Sequence, residues 1–348
     1  MAALTVLMPV YNSERFLAEA IDSILNQTFA DFEFLIIDDC STDNSVSIIK
    51  SYSDRRIRFY QNQINLGISP TLNKGIELAK TELIARMDSD DVSYPERLQK
   101  QYDFIAANPD GALYSCWVRV IDQENQFIRF DDFNSNYYYY NLTFICWIYH
   151  PTIIFTKTAV QEVGMYSVPY SEDFELFWQL SRKYKIYNLS DVLLDYRVTD
   201  QSLHHVLRKE EYKKAQKEQL LRNFRYYAGI DYNIPDSFID CLQHNFQPLL
   251  EENSVSKVIA CVRELEFLTQ QILAKENANR NPEAIKTTAF FKRRFIVMFF
   301  AENLSPPKGI LLLIRLRENA IIKRKIKDAI KKIFRLKRQL FKRDKTLL

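Results

Sequence analysis

The stretch ARMDSDD, residues 85–91, places three carboxylates within four positions at the end of an apolar segment. Carboxylates this close repel one another in a compact chain, so they belong either to a solvated turn or beside a positive charge. The cluster lacks the histidine and cysteine partners of a zinc site, and ligands that are all oxygen suit a hard cation. The sequence therefore predicts bound Mn²⁺ or Mg²⁺ here, which would relieve the repulsion among Asp88, Asp90 and Asp91. Arg86 can neutralise the same cluster or contact a phosphate.

Strand-like and helix-like segments alternate before and after this cluster. Apolar runs such as LTVLMPV predict strands buried on both faces, and helical stripes lie between them. The alternation is typical of an α/β domain with a mostly parallel sheet. Asn12 or Ser13 is the expected N-cap of the first helix. The predicted strands are 4–10, 32–38, 57–61 and 82–88, and the predicted helices are 13–27, 43–53, 69–80 and 95–109.

Polar residues follow several of these strands at their carboxyl ends, the edge at which open parallel sheets bind ligands. The sequence DDCSTD, residues 38–43, follows the second strand, Asn65 follows the third, and the Asp88 cluster follows the fourth. Either Asp38 or Asp39 can also cap its own turn through bonds to backbone N–H groups. The chain contains neither GxxxxGK[ST] nor GxGxxG, which excludes P-loop kinases and dinucleotide dehydrogenases. A diphosphate would then be held by the metal.

The sequence of the second half of the chain does not continue the regular alternation of strands and helices. Residues 112–205 are less regular, with a predicted helix at 171–184 between strand-like segments, and strong helix formers dominate from residue 206. Pro306 and Pro307 precede a basic end. We therefore predict an α/β catalytic domain at 1–205, a helical accessory region at 206–305 and a basic amphipathic tail at 306–348.

Charge is distributed unevenly along the chain. From Arg315 to Lys345 there are 14 Lys and Arg against three acids, a net charge of +11, whereas the remainder carries 33 basic and 41 acidic residues, a net of −8. Apolar residues recur at helical spacing in this tail, which suits an anionic membrane surface. The alternatives are packing on the acidic body or binding nucleic acid. Because no nucleic-acid-binding motif is present, no nucleic-acid partner is expected.

The predicted location is cytoplasmic, peripheral at the inner face of the cell membrane. The five cysteines are scattered, as free thiols in a reducing compartment are, and no apolar run of 18 residues predicts a spanning helix. The N-terminus has no basic region before its short apolar segment, so no signal peptide is expected.

Three stretches together resemble the family-2 inverting glycosyltransferases of the bacterial polysaccharide type, which have the Rossmann-like GT-A fold. They are VLMPVYNSERFLAEAIDSILNQTFADFEFLIIDDCSTDNS, NLGISPTLNKGIELAKTELIARMDSDDVSYPERLQKQ and SEDFELFWQLSRKY. The resemblance covers roughly residues 3–200. It implies that Pro9, Tyr11 and Asn12 flank a nucleotide base and that Asp39 bonds its ring, typically uracil.

The resemblance also distributes roles among the remaining acids. Asp88-Ser89-Asp90 matches the DxD motif, Asp91 completes the acidic triplet near the donor sugar, and Asp173 matches the catalytic base. The implied site comprises nucleotide-sugar contacts at Pro9, Tyr11, Asn12, Asp39, Asn65, Asp88, Ser89 and Asp91, metal ligands Asp88 and Asp90, and catalytic Asp173 and Glu172.

Two positions depart from the family pattern. Leu72 stands where many relatives carry an arginine. Thr199 stands where many carry a histidine, so either Thr199 or the nearby His204 or His205 would complete the site.

The expected activity is metal-dependent inverting transfer of a sugar, with the chain acting as a hexosyltransferase on a nucleotide-sugar that is expected to be UDP-linked. The acceptor would be a saccharide, in particular a lipid-linked glycan of surface polysaccharide synthesis. Two other classes stay open. A sugar nucleotidyltransferase would carry a Gly-rich N-terminal loop with a basic phosphate ligand, which residues 9–16 lack. A non-catalytic glycan-binding or membrane scaffold would lack the DxD motif or the base.

Overall fold

A computed structural model describes residues 2–199, 209–319 and 322 of the chain. They form two compact units. The first consists of Met1–Tyr232 with Ile272–Ile285, and the second consists of Asn233–Gln271 with Lys286–Leu348. The strands are β1 (Leu4–Val10), β2 (Phe32–Asp38), β3 (Ile57–Gln61), β4 (Leu83–Arg86), β5 (Val92–Ser93), β6 (Gly111–Ile121), β7 (Phe127–Asp131), β8 (Ile154–Thr156) and β9 (Lys185–Arg197). The α-helices are α1 (Leu17–Leu25), α2 (Ser45–Ser51), α3 (Ile68–Leu78), α4 (Arg97–Ala107), α5 (Tyr138–Asn141), α6 (Lys157–Glu162), α7 (Glu172–Lys183), α8 (Lys209–Ala228), α9 (Asp236–Leu242), α10 (Gln247–Glu251), α11 (Val255–Ala274), α12 (Pro282–Asn303) and α13 (Pro306–Arg315).

The first unit is built on a sheet of order β3-β2-β1-β4-β8-β6-β9-β5, with β7 paired to β6. Strands β1 to β4 pair in parallel, as do β6 and β9, whereas β8 pairs antiparallel with both β4 and β6. The prediction of a mixed α/β, mostly parallel sheet followed by helices is confirmed. The carboxyl ends of β1, β2 and β4 meet at one edge of the sheet.

The central strands are buried because their sequences are apolar on both faces. Every residue of β1 and β2 is buried, as expected of parallel strands covered by helices. Helix α3 lies very close to β1, since a Cβ added at Gly75 would lie 2.3 Å from the Leu7 side chain. This contact requires a residue without a side chain and fixes α3 over the strand that leads into the site.

Three features differ from the sequence-based expectation. Helix α1 begins at Leu17, and neither Asn12 nor Ser13 caps it, because the Asn12 side chain accepts the Thr42 N–H instead. Strands β5 and β7 were not predicted, since β5 has two residues and β7 is largely exposed. Helix α8 belongs to the first unit, beyond the predicted boundary at 205. Its Asn223 donates to the Leu142 carbonyl oxygen, a tertiary contact that helix propensity does not encode.

The second unit contains α9, α10 and α13 together with most of α11 and α12. Its core combines aliphatic and aromatic side chains, with Leu249, Val258, Leu268, Ile296 and Phe300 fully buried. Within the described residues, none of the helices combines the length and the apolar content that crossing a membrane requires.

Lys292 is a charged group buried inside the second unit. It is 5% exposed, and its Nζ lies 3.1 Å from His244 Nε2. Burial lowers the pKa of Lys292 to about 7, against the smaller opposing effect of Cys241 and Cys261. Burial, followed by the charge of Lys292, lowers the pKa of His244 to about 3. His244 is therefore neutral at pH 7 and can accept a hydrogen bond.

We expect the free energy of unfolding to rise between pH 7 and pH 9. The unfolded chain keeps the ordinary, higher lysine pKa and holds a proton that buried Lys292 has released, so raising the pH favours the folded state. The slope should reach at most about 1.4 kcal/mol per pH unit. Thermal unfolding across this range should show a smaller slope for Lys292→Met. The exposed Lys286→Met control should keep the wild-type slope, and equal slopes in all three proteins would contradict the expectation.

Candidate active site

The acidic turn after β4 gathers three carboxylates. Oxygens of Asp88, Asp90 and Asp91 all lie within 4.8 Å of one another. Asp91 is 1% exposed, and the other two are partly buried. Burial, followed by the charge of Asp88, raises the pKa of Asp90 to about 7. Burial and the two neighbouring carboxylates likewise raise the pKa of Asp91. Keeping these carboxylates ionised in the turn therefore costs free energy, which a nearby positive group would offset.

Two buried arginines supply positive charge to this turn. Arg86, the last residue of β4, forms an ion pair with Asp88. Arg197, the last residue of β9, donates its backbone N–H to Asp91 Oδ1 and its Nε to the Asp90 carbonyl oxygen, both at 2.7 Å. The Arg197 guanidinium also bonds Glu19 at 2.7 Å, so it connects the acidic turn to α1.

Arg197 was not predicted to belong to the site. Its one signal in the sequence is its position at the carboxyl end of a strand, the criterion that singled out Asp39 and Asp88.

A divalent cation fits the donor set of this turn. The three side chains offer only oxygen ligands, the preference of Mg²⁺ and Mn²⁺. Oδ2 of Asp91 is buried and, among the described residues, has no hydrogen-bond partner. Such an oxygen is costly unless a ligand satisfies it. Asp88 and Asp90, being more accessible than Asp91, are the residues best placed to hold the ion.

Asp39 is buried and holds the loop after β3. Its Oδ1 accepts hydrogen bonds from the Leu66 N–H at 2.9 Å and from Asn62 at 2.8 Å, and its Oδ2 accepts the Gly67 N–H at 2.8 Å. The Asn65 side chain donates to the Asp39 carbonyl oxygen at 3.3 Å. Asp39 therefore shapes the loop itself, and its contact with a base stays a prediction. Asp38 is the residue that caps the turn, through Ser41 N–H.

The loop after β1 joins the acidic turn to the loop after β2. The hydroxyls of Ser13 and Ser89 are 2.7 Å apart, and the Ser13 N–H donates to Ser45 Oγ. Tyr11 is 51% exposed at this edge, where an aromatic ring can stack on a base. Pro9 lies inside β1, buried and paired with Ile37, so it belongs to the strand and not to the loop.

Glu172 and Asp173 open helix α7, and the two acids differ in exposure. Glu172 is 6% exposed, and its Oε2 has no hydrogen-bond partner among the described residues, whereas Asp173 is partly exposed. Burial, followed by the charge of Asp173, raises the pKa of Glu172 to about 7. Ser171, just before them, has a φ of 55°, an uncommon backbone conformation that is enriched at functional sites.

Tyr166 is a buried tyrosine whose pKa is affected by residues of both acidic groups. Its hydroxyl is 2.7 Å from His150 Nε2. Burial raises its pKa, and the charges of Arg86, Asp173, Glu172 and Asp88 all act on it. The fold therefore brings Asp173 and Glu172 into the same electrostatic environment as Asp88, although they are far apart in sequence. Neither His150 nor Tyr166 was predicted to belong to the site.

The residues proposed to complete the metal site are only partly described. Thr199 follows β9 directly and is partly buried. His204 and His205 lie outside the described residues. The choice among these three side chains therefore stays a prediction.

Comparison with known proteins identifies the family. Residues 5–162 match glycosyl transferase family 2. The O-antigen biosynthesis glycosyltransferase WbnJ of Escherichia coli is 31% identical over 266 residues, covering 71% of this chain and 97% of WbnJ. The chain belongs to glycosyltransferase family 2. It is therefore a glycosyltransferase, as the resemblance in the sequence implied.

Two solved structures share the fold of this glycosyltransferase. TarS from Staphylococcus aureus, in complex with UDP-GlcNAc, aligns with a TM-score of 0.56 at 16% identity, covering 87% of this chain and 92% of TarS. The mannosyltransferase PcManGT from Pyrobaculum calidifontis, in complex with GDP-Man and Mn²⁺, aligns with a TM-score of 0.50 at 17% identity, covering 90% of this chain and 79% of PcManGT. The GT-A architecture is thereby supported beyond the catalytic motifs.

Replacing Arg197 should destabilise the first unit. Arg197→Met keeps the backbone N–H bond to Asp91 but removes the buried guanidinium that bonds the Asp90 carbonyl oxygen and Glu19, and it should lower the free energy of unfolding by about 3 kcal/mol. Glu19→Gln keeps the arginine and, because Glu19 is half exposed, should cost less than about 1 kcal/mol. Urea denaturation measures both. Equal stability of Arg197→Met and wild type would show that the arginine does not hold the turn.

Proposed function

We propose that this glycosyltransferase moves a sugar, with inversion, from a nucleotide-sugar, most simply UDP-linked, to a saccharide acceptor, with Mn²⁺ or Mg²⁺ bound. The observation that carries the proposal is the presence of two separate carboxylate groups, the cluster of Asp88, Asp90 and Asp91 after β4 and the pair Glu172 and Asp173 at the start of α7. Inverting transfer needs both groups of carboxylates. One group would hold the cation that stabilises the leaving diphosphate, and the other would accept the proton of the acceptor hydroxyl. The nucleotide-sugars and the Mn²⁺ in the complexes of TarS and PcManGT support the donor and the cation.

The donor half of the site is assigned to the acidic turn. Asp88 and Asp90 would hold the cation, and a divalent metal acting as a Lewis acid stabilises the negative charge of a leaving diphosphate. Arg86 and Arg197 keep the turn in place. Tyr11, Asn12 and Asp39 form the side of the edge assigned to the base. Asp91 is buried against β9 and would touch the sugar only through its unpaired oxygen.

The acceptor half is assigned to the start of α7. Asp173 would take the proton from the attacking hydroxyl, a role in which a positioned carboxylate contributes typically about 10²–10⁴-fold. Its partial exposure leaves it accessible to an acceptor, whereas buried Glu172 is not. Glu172 would instead act behind Asp173, through its charge or its proton.

The acceptor proposed is a glycan on a lipid carrier in surface polysaccharide synthesis, handled at the cytoplasmic face of the membrane. The name of WbnJ, an O-antigen biosynthesis glycosyltransferase, supports this setting. The basic sequence from Arg315 to Lys345 supports a peripheral location. Most of that segment lies outside the described residues.

The proposal is tested by screening nucleotide-sugars for hydrolysis or transfer in the presence of Mn²⁺. UDP-sugars should release UDP slowly without acceptor, and chelation by EDTA should stop the reaction until Mn²⁺ or Mg²⁺ is restored. Asp90→Asn should abolish donor turnover, because the cation loses a ligand. With acceptor extracts, Asp173→Asn should lower transfer by at least about 100-fold while nucleotide binding persists.

Asp191→Asn is the matched control, because Asp191 is an exposed carboxylate in a surface ion pair with Lys100. It should behave as wild type. Nucleotide binding without any turnover would favour the non-catalytic scaffold. Release of inorganic diphosphate from a sugar phosphate and a nucleoside triphosphate would favour the nucleotidyltransferase. A fully active Asp90→Asn variant would refute the assigned donor site.

A further inference from the structure

Helix α13 in the second unit is apolar on two opposite faces. One face is buried and packs on α12, since a Cβ added at Gly309 would lie 2.5 Å from the Ala301 carbonyl oxygen. A surface helix usually carries polar residues on its other side. Here that side, which we call the outer face of α13, consists of Ile310, Leu311 and Ile314, exposed by 55%, 40% and 57%.

Helix α12 adds a second exposed apolar group in the same unit. Phe290, Phe291 and Phe295 are 55%, 55% and 51% exposed. Their spacing places them on one side of the helix, with exposed Arg294 between them. With Phe267, the second unit carries seven of the fourteen large apolar side chains exposed by the described residues. Single exposed apolar residues need no explanation, but two such groups, on α13 and on α12 of the same unit, are what an apolar partner would contact.

The sequence that follows the outer face indicates its partner. Arg315 ends α13, and the basic segment from Arg315 to Lys345 carries a net charge of +11. Exposed aliphatic and aromatic side chains, followed in sequence by so many basic residues, match an anionic bilayer, where head groups attract lysine and arginine and the acyl boundary accepts apolar groups. A second copy of this chain would carry the same +11 sequence, and charge repulsion between the two opposes that pairing.

We propose that the outer face of α13 and the phenyl groups of α12 insert into the surface of an anionic lipid bilayer. This inference deepens the proposed function by giving the enzyme a route to an acceptor on a lipid carrier. It differs from docking by charge alone, because the apolar residues then contribute to affinity and resist high salt. Salt screens the basic segment but not apolar burial.

Vesicle flotation of the full chain tests the proposal. The wild type should bind phosphatidylglycerol-containing vesicles and bind pure phosphatidylcholine weakly. The triple variant Ile310→Ser, Leu311→Ser, Ile314→Ser should lose roughly 10- to 100-fold in vesicle affinity, the expectation for removing three half-exposed aliphatic side chains. Ile230→Ser is the control, because Ile230 is 79% exposed in the first unit. It should bind as wild type.

A second measurement separates insertion from surface contact. Leu311→Trp should show a blue-shifted emission on adding the anionic vesicles and quenching by lipids brominated in the acyl chain, since the ring would enter the apolar layer. Unchanged vesicle affinity of the triple variant would overturn the proposal, leaving the basic segment as the sole anchor. A concentration-dependent dimer that the triple variant abolishes would also overturn it, because the face would then contact a second copy.

These outcomes are independent of catalysis. Vesicle binding is measured without donor or acceptor, so the protein can bind vesicles even if the proposed sugar transfer fails. Sugar transfer without vesicle binding would likewise be detected. The substituted side chains are exposed, so thermal unfolding of the triple variant should match that of wild type.

Discussion

The crowding of carboxylates after β4 is the constraint on which the rest of the first unit depends. Three acidic side chains lie within 4.8 Å, one of them almost wholly buried, and their mutual repulsion must be offset for the turn to exist. Arg86 offsets it from within the same strand, and Arg197 does so from a strand 107 residues further along. The cation of the proposed function would offset the same repulsion further.

This constraint explains why the irregular second half of the catalytic unit is necessary. Strands β1, β2 and β4 present loops at one edge, but of the two arginines at the acidic turn they supply only Arg86. The second arginine, Arg197, is available because β9 pairs with β6 and ends beside the turn, where Arg197 also bonds Glu19 on α1. The same half supplies α7 with Glu172 and Asp173. A fragment ending after α4 would therefore keep the motif and Arg86 but would lack Arg197 and the second acidic pair.

Local patterns were sufficient for the parallel core and for the acidic turn, because continuous apolar runs and strand-end acids are visible within a few residues. Local patterns did not identify Arg197, Tyr166 and His150 as site residues. Their partners are distant in sequence, and a single arginine, tyrosine or histidine forms no pattern that indicates a role. The same limit applies to α8, since a helix-forming sequence does not specify which unit it packs against. Asp39 shows a subtler limit: its carboxylate is largely used by the loop of Leu66 and Gly67, which a strand-end position does not indicate.

Glu172 and Asp173 show how a fold gives adjacent acids different properties. The left-handed backbone at Ser171 turns the chain sharply into α7, so one carboxylate is directed inward and the next remains accessible. Burial then raises the pKa of Glu172 to about 7, and the charge of Asp173 adds to that effect. Asp173 is the partly exposed member of the pair and so the one that an acceptor hydroxyl could reach, which is why the proposed base is Asp173 and not its buried neighbour.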